Sequence, residues 1–131
     1  MVTAIVIDDD FDTCDVLTEF LEISGIQILG TGYHGKDAVE LYQKHNPDLV
    51  FLDIMMPYYD GFYGLEKIKQ LNPAAHVIVV TGDLRTETYD RLQLLKATAI
   101  VYKPFDIEKI MEIVKQVSTE KVCNMIIQQR A

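Results

Sequence analysis

Short, uninterrupted runs of apolar and largely β-branched residues alternate five times with longer segments of helical period along this chain, and that alternation constrains its fold more than any other feature. It is the pattern of strand–helix units that build a parallel sheet. Thr3 to Ile7 is too continuously apolar for a half-exposed strand, and Val16, Leu17, Phe20, Leu21 and Ser24 follow on one helical face that ends at Gly25. Gln27 to Gly32 is shorter and less apolar, which predicts a strand nearer an edge; Ala38, Val39, Leu41 and Tyr42 mark a second helix closed by Asn46-Pro47. Asp48 to Leu52 is a third buried run. It stops at Asp53, and a loop with Pro57 and Asp60-Gly61 leads into a helix carrying Phe62, Leu65 and Ile68. His76 to Val80 reads as the fourth strand, broken by Thr81-Gly82-Asp83 before a helix over about 85–96 with Leu92 and Leu95 as its core positions. Thr98 to Tyr102 is the fifth strand. Asp106 is placed to cap a last helix with Ile107, Ile110, Ile113, Val114 and Val117 inward.

The fold class is therefore α/β, with a parallel sheet covered on both faces by right-handed crossover helices. A length of 131 residues suits one domain, and 49% hydrophobic with 24% charged residues excludes a mostly disordered or fibrous chain. The formal net charge of -8 offers no general attraction for a phosphate backbone, so direct nucleic-acid binding is not expected. Cys14 and Cys123 lie far apart without metal-ligand spacing, which points to a reducing compartment. No run reaches the length of a membrane span, and no basic leader precedes Val2; a cytoplasmic protein is expected.

Ligands of such sheets sit at the carboxyl ends of the strands, beside the point where strand order reverses. Asp8, Asp9 and Asp10 stand there after the first strand, Asp53 after the third, Thr81-Gly82 after the fourth, and Lys103-Pro104-Phe105 after the fifth. Asp8, Asp9 and Asp53 brought together would repel one another unless a cation compensated them, and a hard divalent ion such as Mg²⁺ suits carboxylates plus a backbone carbonyl, for which Met55 is placed. Lys103 and Thr81 could then hold a phosphoryl oxygen, and a carboxylate beside metal and lysine is a competent nucleophile toward an activated phosphoryl group. Each feature alone has a plainer reading: the Asp8-Asp9-Asp10 run as a helix cap and first-turn cluster, Asp53 as a turn starter, Thr81 as an ordinary residue before glycine. Together, at four strand ends, they make a site.

Ile5-Val6-Ile7-Asp8-Asp9-Asp10, the segment from Leu52-Asp53-Ile54-Met55-Met56-Pro57 to Asp60-Gly61, Val79-Val80-Thr81-Gly82 and Lys103-Pro104-Phe105 strongly resemble the receiver domain of two-component response regulators, over roughly residues 2 to 118. The resemblance implies a flavodoxin-like doubly wound (βα)5 fold with a five-stranded parallel sheet in the order 2-1-3-4-5. It implies that Asp53 accepts a phosphoryl group from a sensor histidine kinase or phosphotransfer protein, that Asp8, Asp9, Asp53 and the Met55 carbonyl bind Mg²⁺, and that Thr81 and Lys103 contact the phosphoryl group. It further implies a cis Lys103–Pro104 bond and a switch read on the face of the fourth helix, fifth strand and fifth helix. Met55 and Asp83 occupy positions that in this family modulate the lifetime of the phosphorylated state. One departure stands out: many receivers carry Tyr or Phe three residues before the lysine, where this chain has Ile100, and Tyr102 is expected to have the wrong strand parity to replace it.

Residues 1–118 form the expected receiver domain and 119–131 a helical extension or linker that could pack on the domain or on a second copy. The output is expected from a downstream protein target or a linked domain. A phosphatase of the haloacid-dehalogenase type calls for a second acid two residues after the nucleophile, where Met55 stands. A flavin site lacks a glycine-rich phosphate loop after the first strand. The alternative to the phosphoacceptor is a phosphorylation-independent pseudo-receiver acting in interaction or dimerisation. His34, His45 and His76 are scattered and receive no functional role, and Tyr58, Tyr59, Phe62 and Tyr63 form an aromatic group best explained by packing and turn filling.

Overall fold

The computed structural model describes residues 1–57 and 59–118, together with the backbone of residues 127–129. Strands β1 (Thr3–Ile7), β2 (Gln27–Gly32), β3 (Leu49–Leu52), β4 (His76–Thr81) and β5 (Ala99–Tyr102) alternate with helices α1 (Phe11–Ile23), α2 (Gly35–His45), α3 (Gly61–Leu71), α4 (Thr86–Leu94) and α5 (Ile107–Ser118). The five strands pair in parallel in the order 2-1-3-4-5, with β2 at one edge as its weaker hydrophobicity predicts. A short sixth strand, β6 (Ile127–Gln129), adds in parallel to β5. The sheet thus exceeds the expected five strands by one. Of the expected extension at 119–131, only the backbone of 127–129 is described, and the rest lies outside the described residues.

Strand alternation divides the core in two. Ile5, Ile7, Val50, Leu52, Val77, Val79 and Ile100 face α2, α3 and α4, where Ala38, Tyr42, Phe62, Leu65, Ile68 and Leu92 meet them. Ala4, Val6, Leu49, Phe51, Ile78, Val80, Ala99 and Val101 face α1 and α5. Both faces are buried, which is why these strands read as continuous apolar runs rather than alternating ones.

Two sequence expectations require correction. The inward stripe of α1 is Cys14, Leu17 and Leu21, whereas Val16 and Phe20 are exposed; with seven apolar residues crowded on one helix, spacing alone does not tell which stripe faces inward. Tyr102 does not have the opposite parity to Ile100. The two lie two residues apart, and both pack in the cluster under α2, α3 and α4.

Helix starts follow capping chemistry. Asp10 accepts from the Asp12 and Thr13 amides at the start of α1, Asp60 accepts from the Tyr63 amide at α3, and Asp106 accepts from the Glu108 amide at α5. Two glycines at the β3–α3 connection's contacts are required by close approach: a Cβ on Gly61, at the start of α3, would collide with the Asp53 carbonyl oxygen, and one on Gly35, at the start of α2, with the Tyr59 and Asp60 carbonyls.

Candidate functional site

The parallel ladder continues one residue beyond the strands and thereby aligns the polar residues that follow them. The Asp8 N–H donates to the Gly32 carbonyl at 3.1 Å, the Asp53 N–H to the Ile7 carbonyl at 2.9 Å, and the Lys103 N–H to the Thr81 carbonyl at 2.8 Å. Asp8 and Asp53 consequently leave neighbouring strands side by side, at the point where β1 lies between β2 and β3 and the strand order reverses.

The three acids of the first loop divide their roles. Asp8 turns inward and is 3% exposed, Asp9 is exposed, and Asp10 caps α1. Carboxylate oxygens of Asp8, Asp9 and Asp53 all lie within 4.8 Å of one another. The Lys103 ammonium stands 2.8 Å from Asp8 Oδ2 and 3.5 Å from Asp53 Oδ2, so its nearer partner is Asp8. The Asp10 and Met55 amides donate to Asp8 Oδ1 and Asp53 Oδ1 at 2.9 and 3.2 Å. Lys103 precedes a cis peptide bond to Pro104.

One ammonium against three carboxylates leaves the pocket short of positive charge. Burial pushes the Asp53 carboxyl up to about 6, and the charges of Asp8 and Asp9 add to that effect against the opposing pull of Lys103 and the Met55 N–H. Burial alone would lower the Lys103 ammonium, but its hydrogen bond to Asp8 and the Asp53 and Asp8 charges outweigh it and hold the group above its ordinary value. A compact set of hard oxygen donors with excess negative charge fits a divalent cation of the Mg²⁺ type.

Thr81 is fully buried at the end of β4, and its Oγ1 accepts from the Asp83 N–H at 3.1 Å. The Asp83 carboxylate is held in turn by Arg85 and Thr88, a connection that sequence reading missed although acid, arginine and threonine all stand close around a helix start. Around the pocket Phe11 packs edge-on against Tyr33 at 4.3 Å, and Tyr59 lies 5.0 Å from Tyr63; Tyr58 is outside the described residues. Phe62 packs inward as expected, and His34 caps α2 through Nδ1. Cys14, on the buried face of α1, has its thiol pushed up to about 11 by burial and the Asp8 charge, which makes it unreactive.

Residues 4–115 match the family model described as response regulator receiver domain. The chain belongs to that family. As a receiver domain it is 31% identical over 115 residues to the chemotaxis protein CheY of Halobacterium salinarum, covering 88% of this chain and 95% of that protein. It is 33% identical over 110 residues to CheY of Treponema pallidum, covering 82% and 76% respectively. Among solved structures, the CheX–CheY complex with BeF3 and Mg²⁺ from Borrelia burgdorferi superposes with a TM-score of 0.84 at 29% identity, covering 89% of each chain. A CheY-like receiver from Methanospirillum hungatei gives 0.85 at 23% identity, covering 92% of this chain and 97% of that one, and speaks to the fold alone. This receiver domain is a two-component signal-transduction module, and among the described residues no helix is long and apolar enough to cross a membrane.

Proposed function

We propose that Asp53 is the phosphoacceptor of a Mg²⁺-dependent receiver that takes its phosphoryl group from a phosphohistidine on a sensor kinase or phosphotransfer protein. The observation that carries this reading is the convergence of the Asp8, Asp9 and Asp53 carboxylates within 4.8 Å, with the Lys103 ammonium 2.8 and 3.5 Å from two of them. Asp8, Asp9 and Asp53 with the Met55 carbonyl would hold Mg²⁺, which supplies charge neutralisation and orientation of the phosphoryl oxygens.

Asp53 attacks phosphorus through a carboxylate oxygen; the new P–O bond forms as the P–N bond of the phosphohistidine breaks, and the imidazole departs with the bonding electron pair. Lys103 neutralises charge on the transferred oxygens, and its tie to Asp8 orients the ammonium beforehand. Thr81, at the end of the neighbouring strand, supplies a hydroxyl to the phosphoryl group. Attack of water on the acyl phosphate restores the carboxylate and releases phosphate, the only turnover this reading requires. The added charge switches the face of α4, β5 and α5, which a downstream protein or linked output domain reads. A cytoplasmic site of action accords with the buried free thiol of Cys14.

Intact mass after incubation with Mg²⁺ and acetyl phosphate tests the reading. One phosphoryl added to the parent and none to Asp53→Asn is the expected result. No adduct, with Mg²⁺ binding and beryllofluoride binding also absent, would replace it by the pseudo-receiver.

A further inference from the structure

The link between Thr81 and α4 passes through one carboxylate. Asp83 donates its N–H to Thr81 Oγ1, and its side chain accepts from Arg85 Nε at 2.9 and 3.1 Å, Arg85 Nη2 at 2.7 Å, the Arg85 N–H at 3.0 Å and Thr88 Oγ1 at 2.7 Å. The hydrogen bonds from Arg85 and Thr88 hold the Asp83 carboxyl well below the ordinary carboxylate range. Arg85 precedes the first turn of α4 without capping it through its own side chain, so the first-turn anchor of this helix is Asp83. Only Thr88 and Leu92 of α4 are buried, against four residues of α5. The position of α4 therefore depends on polar ties more than that of any neighbour in the α4–α5 region does.

We infer that Asp83, with Arg85 and Thr88, is a positioning latch that holds the Thr81 hydroxyl and α4 in one resting arrangement and resists the phosphoryl-bound one. The inference rests on the phosphoacceptor reading of Asp53. Oγ1 of Thr81 is turned along its own chain toward residue 83, closing a tight turn. To reach a phosphoryl group on Asp53, one strand over, it must swing across, and the Asp83 backbone that holds it is fixed by the same carboxylate that anchors α4. Gly82 between them has open space where a Cβ would stand, so the backbone has room to give. Bonds made only in the resting arrangement raise the cost of leaving it, and weakening them must tighten whatever binds the other arrangement.

Thr88→Val removes one hydroxyl bond with little change of shape, and Arg85→Gln removes the charged fork from the exposed side. Beryllofluoride, titrated calorimetrically into the full chain with saturating Mg²⁺, reads the phosphoryl-bound arrangement; thermal melts and amide exchange over 86–94 read the helix. Both variants are expected to bind beryllofluoride about five- to tenfold more tightly, with faster exchange in α4. Faster exchange or a lower melting temperature with unchanged or weaker beryllofluoride binding in both variants would reduce the network to an ordinary helix cap and overturn the latch. A parent protein that binds Mg²⁺ but no beryllofluoride would instead remove the phosphoacceptor reading, and the latch with it.

Discussion

Asp53 is buried beside two other acids, a position that works against its charged form and that the proposed phosphoacceptor role must overcome. In the metal-free protein its pKa of about 6 exceeds the unfolded value of a carboxyl, so the folded state binds the proton more tightly than the unfolded state. The resulting stability is fully present below the unfolded pKa and is lost as pH rises through about 6. Chemical denaturation in chelator should therefore show a loss of roughly 1–3 kcal/mol between pH 4 and 7, and Asp53→Asn should abolish most of that dependence. A profile unchanged by the substitution would refute this account. Lys103→Met should raise the Asp53 transition further and slow phosphoryl incorporation from acetyl phosphate on the order of 10²-fold, because a preorganised charge at the transferred oxygens is lost. At this scale the sequence was informative about which residues gather, since each stands at the end of a different strand. It was silent on which acid does what: Asp8 inward, Asp9 outward and Asp10 on the helix start are side-chain directions that three adjacent identical residues do not encode.

The elements follow from hydrophobic period and capping, and their weak points follow from close approach. Gly61 lies so near the Asp53 carbonyl that any Cβ must displace the β3–α3 connection, whereas Gly82 faces open space. Gly61→Ala should cost about 1–3 kcal/mol or more and impair Asp53 together with the fold, while Gly82→Ala should stay within about 0.5 kcal/mol. Equal destabilisation by the two in urea melts would contradict the packing described. The helices of strongest period were legible: α5 presents Ile110, Ile113, Val114 and Val117 inward as the spacing requires. For α1 the period admitted two stripes, and only docking against β1 and β2 selects Cys14, Leu17 and Leu21. The Thr81–Asp83–Thr88 connection was not legible either, because it depends on the Asp83 backbone closing back on Thr81 while its carboxylate reaches forward to Arg85 and Thr88.

For the whole molecule, sequence reading of strand–helix units and the family resemblance together anticipated the strand order, while β6 went unforeseen because a three-residue edge pairing leaves no periodic trace. Among the described residues, the buried members of both apolar clusters lie between Ala4 and Val117. A chain cut after Ser118 should fold as an independent receiver, its unfolding free energy from urea melts lowered by about 1 kcal/mol or less, since β6 pairs as a three-residue edge strand on β5. The remaining instability of such a fold is concentrated at one end of the sheet, where three carboxylates face one ammonium. A cation bound there stabilises the folded state alone, so Mg²⁺ at a hundredfold excess over its dissociation constant should add about 2.7 kcal/mol at neutral pH. Asp8→Asn should remove most of that gain while also loosening Lys103, and an exposed acid outside the cluster, such as Glu66→Gln, should leave it intact. A Mg²⁺ stabilisation that survives Asp8→Asn and Asp9→Asn together would mean that the ion acts by screening the net charge of -8 and not by binding between β1 and β3.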